Sequence, residues 1–313
     1  MPDDPSFSSQ VKDELSHLMP DLSCCRRTEL AALVRASGRI SIGGGGIACT
    51  LSTDHAPVAR MIIRLIRSEF GLQTRLMVLR RMRLRKNLSY LVRIPPQPGL
   101  TNLLQASGIM DRNGDLSDWG DLASLGHDHC RRAYLRGTFL GTGWIAPPER
   151  QHHLEMTTTA TEAADELGQL LFRYGIPVRM AYRKDTMVLY VKDAKDIVKF
   201  LKLVGAEGAL SHYEDVRAVK QVRNKVNRQV NAETANLNKT VEASGRQVEM
   251  LTSLAASGRL AVLSDGLREL ALLRLNHPDA NLKELGEMCN PPLSKSGVNH
   301  RMRQLMKIAE EEL

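Results

Sequence analysis

At 313 residues and 42% hydrophobic side chains, the chain is long enough for two or three cored domains, and with 4% aromatics those cores must rest on Leu, Val, Ile, Ala and Met. A net charge of +8 favours a polyanionic partner, most simply nucleic acid, although ribosomal contact or an acidic protein would satisfy the same balance. Met1 to Gln10 is too polar for a signal peptide and no run approaches the ~18 apolar residues of a membrane span, so a cytoplasmic chain is expected.

In chain order, Phe7, Val11, Leu15 and Leu18 mark a short amphipathic helix over 6–19, with Lys12, Asp13 and Glu14 on its polar face; it is expected to dock on the repeat unit beginning near residue 21. A helix is predicted from Cys24 to Ser37 with Gly38 as its stop, then two strands, Arg39–Ile42 and Ile47–Thr53. Gly43 to Gly46 joins them as a hairpin turn. A four-glycine run can suggest a phosphate loop, but no Lys-Ser/Thr follows and no helix opens after it, which favours the hairpin turn. A helix over 56–70, strands over 73–80 and 88–94, and a helix over 99–107 complete the unit.

The chain then repeats itself. Cys25, Arg26, Arg27, Leu30, Gly38 and Ile40 recur as Cys130, Arg131, Arg132, Leu135, Gly143 and Ile145, six identities in sixteen at a constant offset of 105. Chance would give about one, so a duplicated unit of roughly a hundred residues is expected. Its second copy reads as a helix over 129–142, a strand over 152–159, a helix over 161–174, strands over 177–183 and 186–191, and a helix over 194–203. Ser68-Glu-Phe-Gly71 and Phe172-Arg-Tyr-Gly175 fall at matching places. Each copy is helix, two strands, helix, two strands, helix.

Ala32 and Ala36, and Gly137 and Gly141, lie four apart, giving each motif helix one small-residue strip. Such strips let helix backbones approach closely, so the two motif helices are expected to cross at a pseudo-twofold axis.

Residues 214–243 are rich in Asn, Arg, Lys and Val without Gly or Pro, and read as a solvated, partly helical connector or a nucleic-acid arm. Helices are predicted beyond it at 244–256, 259–276, 281–288 and 294–310, with Asn281 and Ser294 as caps. Pro291 and Pro292 force a turn between the last two, which together resemble a helix-turn-helix. Leu282, Leu285, Met288, Leu293, Val298, Met302 and Leu305 form its predicted buried side, and Gly286 is small where the helices must meet.

The last helix offers Ser294, Lys295, Ser296, Asn299, His300, Arg301 and Arg303, with no acid before Glu310. Asn299, Arg301 and Arg303 are expected nearest the bases, with Lys295, Ser296 and His300 on the phosphates. A second basic stretch carries Arg81, Arg83, Arg85 and Lys86. In a strand its three arginines share one face, along a nucleic-acid backbone or at a solvated hairpin tip.

The five cysteines (Cys24, Cys25, Cys49, Cys130, Cys289) are odd in number and lack paired spacing, so reduced, partly buried thiols are expected, with no metal site, disulfide framework or cofactor. His127, His129, His152 and His153 read as ordinary loop histidines. No catalytic constellation stands out.

Leu30-Ala-Ala-Leu-Val-Arg-Ala-Ser-Gly38 and Leu135-Arg-Gly-Thr-Phe-Leu-Gly-Thr-Gly143 resemble the motif of the LAGLIDADG homing endonucleases. In that family an acid precedes the final glycine and the two acids hold divalent metal; here those positions are Ser37 and Thr142, poor ligands for Mg²⁺. Over nearly its whole length the chain is similar to the WhiA family of bacterial transcription regulators. The likeness rests on Val11-Lys-Asp-Glu-Leu15, Cys24-Cys-Arg-Arg27, both degenerate motif helices, Asn227-Arg-Gln-Val-Asn-Ala-Glu-Thr-Ala-Asn-Leu-Asn-Lys-Thr240 and Pro291-Pro-Leu-Ser-Lys295.

The resemblance implies an α+β chain, with a duplicated LAGLIDADG-like αββαββα saddle and, after it, an all-α helix-turn-helix domain. The expected segments are 1–20, 21–112, 113–208, 209–243 and 244–313. It implies a non-catalytic, nucleoid-associated regulator of cell division, chromosome segregation and, where present, sporulation. Its partners would be promoter DNA and a WhiB-like iron–sulfur regulator or RNA polymerase. A LAGLIDADG nuclease or a maturase-like RNA- or DNA-binding protein is the alternative.

Overall fold

The computed structural model describes residues 5–80, 88–116 and 125–311. The chain divides into two compact units, Met1–Val219 and Lys220–Leu313.

The first unit opens on α1 (Phe7–His17) and α2 (Ser23–Ser37), then β1 (Gly38–Gly43), β2 (Gly46–Thr53), α3 (Ala56–Phe70), β3 (Arg75–Arg80), β4 (Leu88–Ile94) and α4 (Leu100–Ala106). The second copy is α5 (Asp128–Thr142), β5 (Trp144–Ile145), β6 (Leu154–Thr158), α6 (Thr161–Arg173), β7 (Arg179–Arg183), β8 (Thr186–Val191) and α7 (Ala194–Val204). The two antiparallel sheets have matching strand orders, β1-β2-β4-β3 and β5-β6-β8-β7. The duplication is therefore one of topology as well as of sequence. Gly43 pairs with Gly46, so Gly44 and Gly45 form the predicted hairpin turn.

In each copy the helices cover one sheet face. Met61, Ile62, Leu65 and Ile66 of α3 are buried with Leu51, Val92 and Ile94; Leu167, Leu170 and Leu171 of α6 with Leu189 and Val191. Gly71 and Gly175, which close the matching Ser68–Gly71 and Phe172–Gly175 segments, both take the left-handed conformation (φ 66° and 67°) that glycine adopts without steric cost.

α1 departs from expectation. It packs on α3 of the first copy and also on α5 and β5 of the second. Lys12, predicted on the polar face, is therefore buried at 7% exposure, its Nζ 5.9 Å from the Phe139 ring centroid. A helix packed on two sides leaves a narrower solvent face than its sequence pattern suggests. Burial lowers the Lys12 ammonium to about 8, against an opposing pull from Asp54.

α8 (Glu207–Ala256) is one continuous helix, so the predicted connector and the helix at 244–256 are not separate. Its start is capped by α1: the Glu14 carboxylate accepts from the backbone N–H of Gly208 (2.8 Å) and Ala209 (3.0 Å). Residues 221–243 are exposed throughout, as their composition suggested, but no Gly or Pro interrupts the backbone ladder.

The second unit continues with a single 3₁₀ turn (Arg259–Val262), α9 (Asp265–Asn276), α10 (Leu282–Met288) and α11 (Lys295–Glu310). The helix predicted over 259–276 is thus broken near Leu263 and begins again at Asp265.

Candidate nucleic-acid interface

α9, α10 and α11 close over Leu270, Ala271, Leu285, Cys289, Val298, Met302 and Leu305, with Leu251 and Leu254 of α8 completing the core. Met288, predicted buried, is 45% exposed and its neighbour Cys289 takes the core position. α10 ends there, and its extended C-cap turns the next residue inward.

The starts of α10 and α11 are each fixed by a side-chain cap. Asn281 Oδ1 accepts from the N–H groups of Lys283 and Glu284, and Glu284 Oε2 accepts from Asn281 N at 2.8 Å, a reciprocal capping box. Ser294 Oγ accepts from Gly297 N at 3.2 Å.

The intervening turn is held from three sides. A side chain at Gly286 would put a Cβ 2.3 Å from the Leu293 carbonyl oxygen, so only glycine permits this approach. Leu293 N donates to Gly286 O at 2.8 Å, and Asn290 N to Glu269 Oε1 at 2.8 Å. Buried Arg274, for which the sequence pattern gave no signal, gathers the loop before α10: its Nη1 donates to the carbonyls of Ala280 (2.6 Å), Pro278 (3.2 Å) and His277 (3.4 Å).

With Val298, Met302, Leu305 and Ala309 buried, the 100° advance per residue places Ser296, His300, Arg303 and Lys307 on the opposite side of α11. All four are exposed. Ser294 and Lys295 are exposed at the helix start, and Asn299 is half-buried on its flank. Arg301, also among the predicted contacts, turns toward α9. It is half-buried and donates to Gly266 O at 3.4 Å, leaning on α9. Lys307 was not anticipated, although the same spacing argument would have found it. Arg81, Arg83, Arg85 and Lys86 lie outside the described residues.

In the first unit α2 and α5 meet along the predicted small-residue strips. A Cβ on Gly137 would lie 2.5 Å from Glu29 O and 2.8 Å from Ala32 Cβ; one on Gly141 would lie 2.6 Å from Ala36 Cβ. Ala32 faces Gly137 and Ala36 faces Gly141, each pair separated by the repeat offset, which is what a pseudo-twofold axis between the helices requires. Glu29 and Arg136 make a buried bidentate pair across the seam (Nε–Oε1 2.7 Å, Nη2–Oε2 2.5 Å). Burial works against the Arg136 charge, and the Glu29 carboxylate more than offsets it, moving Arg136 above its ordinary range.

At the C-terminal end of this seam stand Ser37 and Thr142. Both hydroxyls turn back on their own helices: Ser37 Oγ donates to Leu33 O (2.8 Å) and Thr142 Oγ1 to Thr138 O (3.4 Å). A cavity of about 300 Å³ opens there between Arg35, Arg39, Thr138 and Thr158, and no Asp or Glu is among its described lining residues. Such a site offers Mg²⁺ neither anionic oxygen nor charge neutralisation.

The N-terminal end differs. There the fold gathers Cys24, Cys25, His129 and Cys130, with their donor atoms within 4.8 Å of one another, where the sequence pattern pointed to reduced thiols without a metal site and to ordinary loop histidines. His152 and His153 are also partnered, by Tyr213 Oη (2.7 Å) and Glu155 Oε2 (3.0 Å).

Residues 23–110 match the family model of the WhiA N-terminal LAGLIDADG-like domain, 131–223 that of the WhiA LAGLIDADG-like domain, and 226–309 that of the WhiA C-terminal HTH domain. A protein of Symbiobacterium thermophilum named "Probable cell division protein WhiA" is 58% identical over 99% of both chains. One of the same name from Heliobacterium modesticaldum is 46% identical, covering 97% of this chain and 96% of its own. The crystal structure of full-length WhiA from Thermatoga maritima shares the fold, with a TM-score of 0.61 at 22% identity over 98% of this chain and 99% of that one. No helix among the described residues is long and apolar enough to cross a membrane. From its first motif helix to its last capped helix, this chain belongs to the WhiA family.

Proposed function

We propose that this chain is a non-catalytic, sequence-specific DNA-binding regulator acting at promoters in the service of cell division, and of sporulation in bacteria that sporulate. The observation that carries the reading is the solvent face of α11. Ser296, His300, Arg303 and Lys307 stand together on a helix with no acid before Glu310, on a three-helix frame locked by Gly286. That face suits a helix entering the major groove.

In this reading Arg303 and His300 are nearest the base edges and Asn299 reaches from the flank. Ser294, Lys295 and Ser296 position phosphates at the helix start. Lys295 lines a groove of about 530 Å³ with Lys239 and Lys283, a basic path suited to a phosphate backbone. Arg301 braces α9 instead of reading a base. The lack of carboxylates at Ser37 and Thr142 supports a non-catalytic role. An iron–sulfur WhiB-like partner or RNA polymerase rests on the family resemblance alone.

Mobility shifts on DNA selected from a random pool test this. Arg303→Ala should lose about 1–3 kcal/mol, roughly 5- to 150-fold, with relaxed preference at one base position. Lys295→Ala should weaken all sequences alike and reduce the salt slope by about one. Unchanged affinity and specificity in both variants, or selection of RNA in place of duplex DNA, would defeat the assignment. Cleavage of the bound DNA in Mg²⁺ would defeat its non-catalytic part.

A further inference from the structure

We propose that Cys24, Cys25, His129 and Cys130 form a four-coordinate transition-metal site, with zinc the ion this donor set favours, clamping the two repeats together at the N-terminal end of the α2–α5 seam.

The repeat offset of 105 maps Cys24 onto His129 and Cys25 onto Cys130. The pseudo-twofold axis that brings Ala32 to Gly137 and Ala36 to Gly141 therefore brings these two dipeptides face to face. Each lies in the first turn of its helix, so no long loop has to fold around an ion. Adjacent residues on a helix normally diverge by about 100°, yet here all four donors converge within 4.8 Å.

The spacing suits tetrahedral coordination. Zn–S near 2.3 Å and Zn–N near 2.05 Å at a tetrahedral angle give an S···N separation of about 3.6 Å. From His129 Nδ1 the observed separations are 3.0 Å to Cys25 Sγ, 3.3 Å to Cys130 Sγ and 4.0 Å to Cys24 Sγ, which bracket that value. Adjustments of about half an ångström bring these nitrogen–sulfur separations to that value. Three sulfurs and one imidazole are the soft N/S set that selects zinc over magnesium or calcium.

The surroundings suit an anionic metal–thiolate centre. Two helix N-termini direct their positive ends at the sulfurs. His127 stacks on His129 at 5.1 Å between ring centroids, 11° from parallel, steadying the imidazole. Cys25 and Cys130 are buried whereas Cys24 and His129 are exposed, so the site has both a dry side and an entry path.

Without a metal, burial keeps Cys25 and Cys130 as neutral thiols. Metal binding converts these thiols to thiolates and releases their protons to solvent. With all four positions taken by protein atoms, no coordination site is left for substrate, so the role is structural.

The full-length chain, reduced and freed of metal by chelation, should be titrated with cobalt(II) and then with zinc against a chromophoric chelator. Cobalt should bind at one equivalent per chain, with tetrahedral ligand-field bands and sulfur charge-transfer absorption, and zinc should displace it. Cys24→Ser and His129→Ala, at exposed positions that leave the core intact, should weaken zinc binding by at least about 100-fold, since loss of an outer-shell partner alone costs 10- to 100-fold. Cys49→Ala, outside the cluster, should bind as wild type. Zinc should raise the melting temperature of wild type and not of His129→Ala. Failure to take up stoichiometric metal with all thiols reduced would overturn the proposal, as would binding unaffected by both cluster variants. A disulfide within the cluster, trapped by alkylation of the chain as it is in cells, would also overturn it.

Discussion

At the scale of single residues, Lys12 shows how far a polar side chain can be carried into a core. Its ammonium is depressed to about 8 by burial, whereas the unfolded chain would titrate near 10.4. Between those values the unfolded state binds more protons than the folded one, so this group's contribution to stability rises with pH. Below about pH 8 both states carry the charge and the folded chain bears the full desolvation cost. Lys12→Met should therefore stabilise the first unit by about 1–3 kcal/mol near pH 7, and the advantage should shrink as pH rises toward 10. Urea unfolding of both proteins across that range checks it, since other titrating groups, Cys25 among them, cancel in the difference. A gain independent of pH would show that folding leaves the Lys12 pKa unshifted.

At the scale of elements, the seam between α2 and α5 depends on small residues matched in pairs. Gly141→Ala alone would set two Cβ atoms 2.6 Å apart and should cost about 1–3 kcal/mol through overpacking. Ala36→Gly alone should cost about 1 kcal/mol of helix propensity. Together they exchange the small and the larger partner across the axis, and the double variant should be close to wild type, a coupling that a double-mutant cycle measures directly. Strict additivity would mean the helices do not meet there. Much of this seam was legible in the sequence, because Ala32, Ala36, Gly137 and Gly141 recur at helical spacing. The cysteine cluster at its end was not. Cys24-Cys25 and His129-Cys130 carry no ligand spacing within either segment, and only the crossing of two helices brings them together.

At the scale of the whole molecule, the two units have separate cores, one resting on residues such as Leu30, Leu65 and Leu171 and the other on Leu285, Val298 and Leu305. Leu285→Ala should cost the second unit about 2–5 kcal/mol through the cavity it leaves. Calorimetry should then show one transition moved down, DNA binding lost near that temperature, and the transition of the repeat unit in place. A common shift of both transitions would show that the units unfold together.

The sequence by itself determined the elements and their duplication. Apolar periodicity, caps such as Asn281 and Ser294, and the Gly43–Gly46 turn act over a few residues, and those interactions are written locally. It also determined that Ser37 and Thr142 cannot serve as acids, because side-chain chemistry does not depend on the fold. Tertiary structure decided which side of an amphipathic helix is covered twice, as at Lys12, and which arginine of α11 leans inward, as Arg301 does. It alone decided that residues 105 apart converge on one point, since that depends on how two helices cross and not on anything either helix carries.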